Sequence, residues 1–196
     1  MASMPAVTTQ SLAVPTRHRL TVEDFHRMGE VGILGRDARA ELIDGEIIDM
    51  SPIGRLHAAM VACLGAAFHD SLNRAAVIWV QNPIVLDEMT ELQPDIALLA
   101  PRDDFYGTRS PRAADVMLVV EVADSSLDHD LGVKMPRYAG SGMPEVWVID
   151  VATRETHRFR NPQGGIYLAR EIIVPEKQFE YGRFSVTLAN LLPKPA

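Results

Sequence analysis

A chain of 196 residues with 47% apolar content can bury a full hydrophobic core and is most simply one domain. Its net charge of −7 argues against broad nonspecific nucleic-acid binding, which needs many Lys and Arg contacts, while leaving room for a local basic groove or an acidic metal site. The one cysteine, Cys63, excludes an intrachain disulfide, and no apolar run approaches the ~18 residues of a membrane span.

Residues 1–16, rich in Ser, Thr and Pro, read as a flexible N-terminal tail without the basic and apolar regions of a secretory signal. Residues 17–196 then form the expected domain, in the cytoplasm. Thr21 followed by Glu23 and Asp24 predicts a helix N-cap, with a short peripheral helix running to about Met28. Arg39 to Met50 predicts a hairpin around an Asp44-Gly45 turn. Glu41 shares a strand face with Ile43, so it points either into a site or, on an edge strand, into solvent. Arg55 to Asn73 is the strongest helix pattern, with Leu56, Met60, Leu64 and Ala67 as its apolar stripe and Cys63 as a buried thiol. His57, in its first turn, is a surface residue or a site residue.

Ala76–Val80 and Ile84–Leu86 read as strands broken by Pro83, followed by a polar connection over 87–93. Pro94-Asp95 opens a strand at Ile96. The loop over 101–115 carries Arg102, Arg109 and Arg112, which either contact substrate or lie in a solvated linker. Val116–Val120 reads as a strand buried on both faces, with Glu121 at its end. A helical segment follows, in which Asp130, Lys134 and Tyr138 are spaced four apart and share a face. Pro136 should kink that helix by removing the bond to the carbonyl of Gly132, which leaves the aim of Lys134 open. Val146–Ile149 completes a βαβ-like unit, and sites in such units collect at the carboxyl ends of strands. Beyond it, an outer strand places Arg154, Arg158 and Arg160 on one face, against phosphate or as a solvated edge. A turn over 161–165, a partner strand from Ile166 and a short strand pair near 178–188 end the pattern.

Two carboxylates, Asp95 and Glu121, on neighbouring strands with Lys134 nearby suit metal-assisted phosphodiester hydrolysis. Hard oxygen ligands select Mg²⁺ or Mn²⁺, with the Val122 carbonyl as a third ligand.

The ordered set ELIDGEI at 41–47, His57, PDIALL at 94–99, EVADSS at 121–126, then Asp130, Lys134, Tyr138, Gly142, Glu145, Trp147 and Asp150 resembles the Uma-type restriction endonuclease family of the PD-(D/E)XK nuclease superfamily. The superfamily places lysine two residues after the second acid. Ala123 stands there instead, and Lys134 stands where the family carries its lysine on the following helix. Val146 replaces the aromatic residue usual before the tryptophan, and Asp124-Ser125 replaces the more usual Ser-Pro. The resemblance implies an α/β, restriction-endonuclease-like core: a central mixed β-sheet, flanking helices and additional β-hairpins. It implies Mg²⁺-dependent cleavage of DNA and a homodimer. It also implies Glu41 as a catalytic acid beside Asp95, Glu121 and Lys134, supported by His57, Asp130 and Tyr138. The alternatives are a catalytically inactive nuclease fold that binds nucleic acid, and a dimeric scaffold in which Arg137 or Arg39 bridges Asp95 and Glu121.

Overall fold

A computed structural model describes residues 16–35, 37–182 and 184–193; all of the expected tail but Thr16 lies outside them. Helix α1 (Val22–Glu30) leads to a hairpin of β1 (Ala40–Ile43) and β2 (Glu46–Asp49), then to α2 (Arg55–Leu72). Strands β3 (Val77–Val80), β4 (Ile84–Asp87), β5 (Thr90–Leu92), β6 (Ile96–Leu99) and β7 (Val116–Ala123) follow. A helical segment comes next, made of α3 (Leu127–His129), a π turn (Asp130–Lys134) and α4 (Met135–Gly140). Strands β8 (Glu145–Asp150), β9 (Thr156–Gln163), β10 (Ile166–Ile173), β11 (Gln178–Tyr181) and β12 (Phe184–Thr187) complete the order.

The main sheet is mixed, in the order β10-β9-β8-β7-β6-β3, with β7 and β8 parallel and every other neighbour antiparallel. A second sheet, β2-β1-β5-β4, is antiparallel throughout, and β11 pairs with β12. The α/β class, mixed central sheet, flanking helices and extra hairpins expected from the sequence are therefore present. No helix among the described residues is long and apolar enough to cross a membrane.

The apolar runs are continuous because the main sheet is covered on both faces. Leu118, Val120 and Val122 of β7 join Trp147 and Ile149 of β8 under α2 and the β11–β12 pair. Val119 and Ala123 join Val146 and Val148 under α4 and the second sheet. Period two therefore sends the Glu121 side chain to the α4 face, among otherwise apolar neighbours.

Four local readings change. The buried stripe of α2 is Met60, Val61, Leu64, Phe68 and Leu72, whereas Leu56 is 66% exposed and Cys63 only half-buried. The first turn overhangs the strand ends, so His57 rather than Leu56 faces inward. The supposed polar connection after β4 contains β5, whose Thr90, Glu91 and Leu92 are all buried between β1 and β4. The arginine face on β9 is not a free edge, because β10 pairs along the strand and β11 packs on Arg158. Arg158 is buried, paired with Glu145 and Glu171, and stacked over Phe179; Arg160 also meets Glu171. Arg154 falls in the turn before the strand. The connection from β9 to β10 is tighter than expected: strand pairing runs to Gln163, and Gly164-Gly165 turn the chain with left-handed φ of 60° and 81°.

Candidate functional site

Asp95 and Glu121 meet by register. Ile96 pairs with Val120, so Asp95 stands opposite Glu121, one residue beyond the β6–β7 ladder. Side chains continue what the backbone stops. The Val122 N–H donates to Asp95 Oδ2 at 2.9 Å, and the Asp95 N–H reaches Glu121 Oε2 at 3.4 Å. Each acid is thus fixed by the strand that carries the other. Both are nearly inaccessible to solvent.

Glu41 arrives from the second sheet. Asp44 and Gly45 both take left-handed backbone (φ 50° and 75°), the geometry of a tight two-residue hairpin turn. That turn sets the register of β1 and β2, and β1 then pairs with β5. Glu41 is 3% exposed, so the inward reading holds for this strand. Its Oε1 accepts from the Gln93 backbone N–H at 2.7 Å, just past the end of β5.

Lys134 comes from the helix between β7 and β8. Pro136 has no N–H to give to an i−4 carbonyl. The chain accommodates this with a π turn, in which the Met135 N–H reaches back to the Asp130 carbonyl, five residues earlier. The turn leaves Asp130, Lys134 and Tyr138 all buried on one side. Lys134 Nζ lies 3.0 Å from Glu41 Oε1, 3.2 Å from Glu121 Oε1 and 4.0 Å from Asp130 Oδ1. The Tyr138 hydroxyl donates to Glu121 Oε1 at 2.6 Å, and Ser126 Oγ donates to Asp130 Oδ2 at 2.6 Å.

The electrostatics follow from this crowding. Burial pushes Lys134 down, but Glu121, Glu41 and Asp130 outweigh it and hold the ammonium above its ordinary pKa. Burial, with Asp130, Asp95 and Glu41 adding to it, outweighs Lys134 at Glu121 and pushes that carboxyl up to about 8. Asp130 is raised too, mainly by burial. His57 Nε2 sits 2.8 Å from Asp95 Oδ1, an ion-pair contact that is off line for a straight hydrogen bond. The Asp95 carboxylate holds this imidazole above its usual pKa against the effect of burial.

These groups line a cleft of about 300 Å³ that also reaches Arg39, Asp49, Asp124 and His129. At Gly54, the N-cap of α2, an added Cβ would stand 2.6 Å from Asp124 Oδ2, the free end of an exposed side chain that can swing away. The donor set suits a hard cation. Glu41, Glu121 and Asp130 surround the one lysine and Asp95 stands beside Glu121, so carboxylates outnumber the cation. Among the described residues no three His, Cys, Asp or Glu side chains form a ready ligand group, so a metal here would rest on Asp95 and Glu121 with backbone oxygen.

The structure thus brings together Glu41, Asp95, Glu121, Lys134, His57, Asp130 and Tyr138. It does not bring in Arg102, Arg109 or Arg112, whose loop joins β6 to β7 at the end of the sheet opposite Asp95. Arg102 grips Asp104 and Arg109 grips Asp115, flanking Tyr106, while the Arg112 N–H also donates to Asp115. Arg137 pairs with Asp44, and Arg39 donates to the Ser51 carbonyl, so neither bridges Asp95 and Glu121. Sequence reasoning missed Gln81, which donates to Asp95 Oδ1 at 3.2 Å, and Gln93 beside Glu41. Both lie in connections, where polar residues are the norm and carry no pattern.

The Uma2 family model, described as "Putative restriction endonuclease", matches residues 22–185. The fold is similar to a solved structure from Anabaena variabilis ATCC 29413, described as "a putative nuclease belonging to DUF820". The two share 16% identity at a TM-score of 0.67, over 88% of this chain and 97% of that one. At that identity the likeness speaks for the fold alone. No curated protein matches.

Proposed function

This chain belongs to the Uma2 family, and on that premise we propose that it is a Mg²⁺-dependent DNA endonuclease, with Mn²⁺ able to substitute. The observation that carries the reading is the position of Lys134 Nζ. It is buried between Glu41 and Glu121, beside the Asp95–Glu121 clasp, at the floor of an open cleft. Asp95, Glu121 and the Val122 carbonyl would hold the ion. When bound, it would polarise the scissile phosphate and make water a stronger nucleophile at neutral pH.

The chain's own residues supply the rest. Lys134 keeps its proton and stabilises the extra negative charge as water oxygen bonds to phosphorus and the P–O bond to the leaving group breaks. Glu41 anchors that ammonium, and its own carboxylate is anchored by the Gln93 N–H. Tyr138 holds one oxygen of Glu121; its phenol, raised mainly by burial, remains a donor. His57 stands against Asp95, and Asp130 against Lys134, as supports. A homodimer is part of the same reading and is checked by sedimentation. The scaffold alternative loses its main support, since the arginines it needs are engaged elsewhere.

The test is cleavage of supercoiled plasmid with Mg²⁺ or Mn²⁺ by the wild type and by Asp95→Ala, Glu121→Ala and Lys134→Ala. Each variant should lose about 10²–10³-fold in rate. Equal cleavage by all four proteins would assign the activity to a contaminant and end the proposal.

A further inference from the structure

Asp95 and Glu41 belong to different sheets, yet a continuous run of hydrogen bonds joins them. Gln81 follows β3, and because Val80 pairs with Ile96, it stands opposite Asp95. Its N–H extends the ladder to the Asp95 carbonyl at 3.0 Å, and its side-chain amide donates to Asp95 Oδ1 at 3.2 Å. The backbone of Gln81 is left-handed, with φ 48°, an uncommon conformation for a residue with a side chain. The Gln81 carbonyl accepts from the side-chain amide of Gln93. The backbone N–H of Gln93 in turn donates to Glu41 Oε1 at 2.7 Å.

Asp95 Oδ1 has a second neighbour, His57 Nε2, 2.8 Å away but misaligned. A carboxylate held only by the Val122 N–H on its other oxygen could turn to make that bond straight. Gln81 opposes the turn. We propose that Gln81 and Gln93 form a two-glutamine brace that sets the orientation of Asp95 and its position relative to Glu41, making both positioning residues for the site. The catalytic consequence rests on the metal-dependent reading above; the brace itself does not. Partners of this kind, one shell behind a metal ligand, typically change metal affinity by about 10–100-fold when removed.

Gln81→Met keeps the length of the side chain and removes its amide. With the full chain and no DNA, Mn²⁺ titration by calorimetry should show about 10–100-fold weaker binding than wild type, with the thermal midpoint within a few degrees. Cleavage by Gln81→Met should recover toward the wild-type rate as Mn²⁺ is raised, placing the defect in metal capture. Gln93→Met should shift Mn²⁺ affinity in the same direction by a smaller factor. Unchanged affinity in Gln81→Met overturns the proposal. If wild type itself binds no Mn²⁺, the metal reading fails, and the metal-free crystal structure of Gln81→Met decides the brace. Asp95 turned onto His57 supports it; Asp95 left in place overturns it. Gln81→Asn, one methylene short, replaces Gln81→Met in both arms if that variant does not fold.

Discussion

Glu121 shows at the scale of one residue what the site costs the fold. A carboxyl in this position is desolvated, and its neighbours Asp130, Asp95 and Glu41 are of like charge, so Lys134 alone does not keep it ionised. Its folded pKa of about 8 stands above an ordinary 4.5. The folded state therefore binds the proton more tightly, and that contribution is complete below about pH 4.5 and lost as pH rises through about 8. The raised His57 acts in the same direction, and His157, lowered mainly by burial, acts against it. The metal-free protein should thus lose thermal stability between about pH 5 and 8. Glu121→Gln should flatten that slope and melt above wild type at pH 8, while Mn²⁺ should raise the wild-type midpoint more at pH 8 than at pH 6. Differential scanning fluorimetry across this range checks it; a Glu121→Gln slope equal to wild type would count against the assigned burial of this carboxyl.

At the scale of elements, the hairpin that delivers Glu41 depends on one glycine. Gly45 has φ 75°, and a Cβ built on it would lie 2.7 Å from Arg19 Cβ and 2.9 Å from both the N and the O of Leu20. The backbone at Leu20 cannot yield cheaply, because its N–H is bonded to the Gly45 carbonyl. Gly45→Ala should cost about 1–3 kcal/mol, read as a drop of roughly 2–10 °C in thermal midpoint; an unchanged midpoint would mean the turn relaxes freely. That turn was legible in the sequence, as were β6, β7 and β8, because Asp-Gly and uninterrupted apolar runs are strong local signals. The meeting of Asp95 with Glu121 was legible for the same reason. The fate of Glu41 was not, since period two gives a strand face but not what covers it, and β5, three residues long, is too short to show a period. Pro136 announced an irregularity in this helix but not its form: the chain meets the missing N–H with a π turn, and Lys134 ends beside Glu41 and Glu121. Arg158 was misread because its role depends on β10 and β11, which lie later in the chain.

At the scale of the whole molecule, a net charge of −7 sets the terms on which a polyanion can approach. Many of its arginines are already committed. Arg102, Arg109, Arg137, Arg158 and Arg160 each sit on a carboxylate, and the cleft wall adds Asp49 and Asp124 to the acids at its floor. DNA entering this cleft without a divalent ion would meet mainly like charge. In the proposed function metal does more than chemistry: it offsets part of this negative charge and so favours binding. The variant Lys134→Gln keeps the proposed ligands while slowing cleavage, so it isolates binding from turnover. By fluorescence anisotropy on a labelled duplex, its affinity should be at least about tenfold higher with Mn²⁺ than with EDTA, and few phosphates should be neutralised, giving a shallow dependence of log K on log salt at roughly 0.9 per phosphate contact. Equal affinity in EDTA would place the DNA on another face and detach DNA binding from this cleft. A steep salt slope with metal present would point the same way, to a basic surface that the paired arginines named here do not provide.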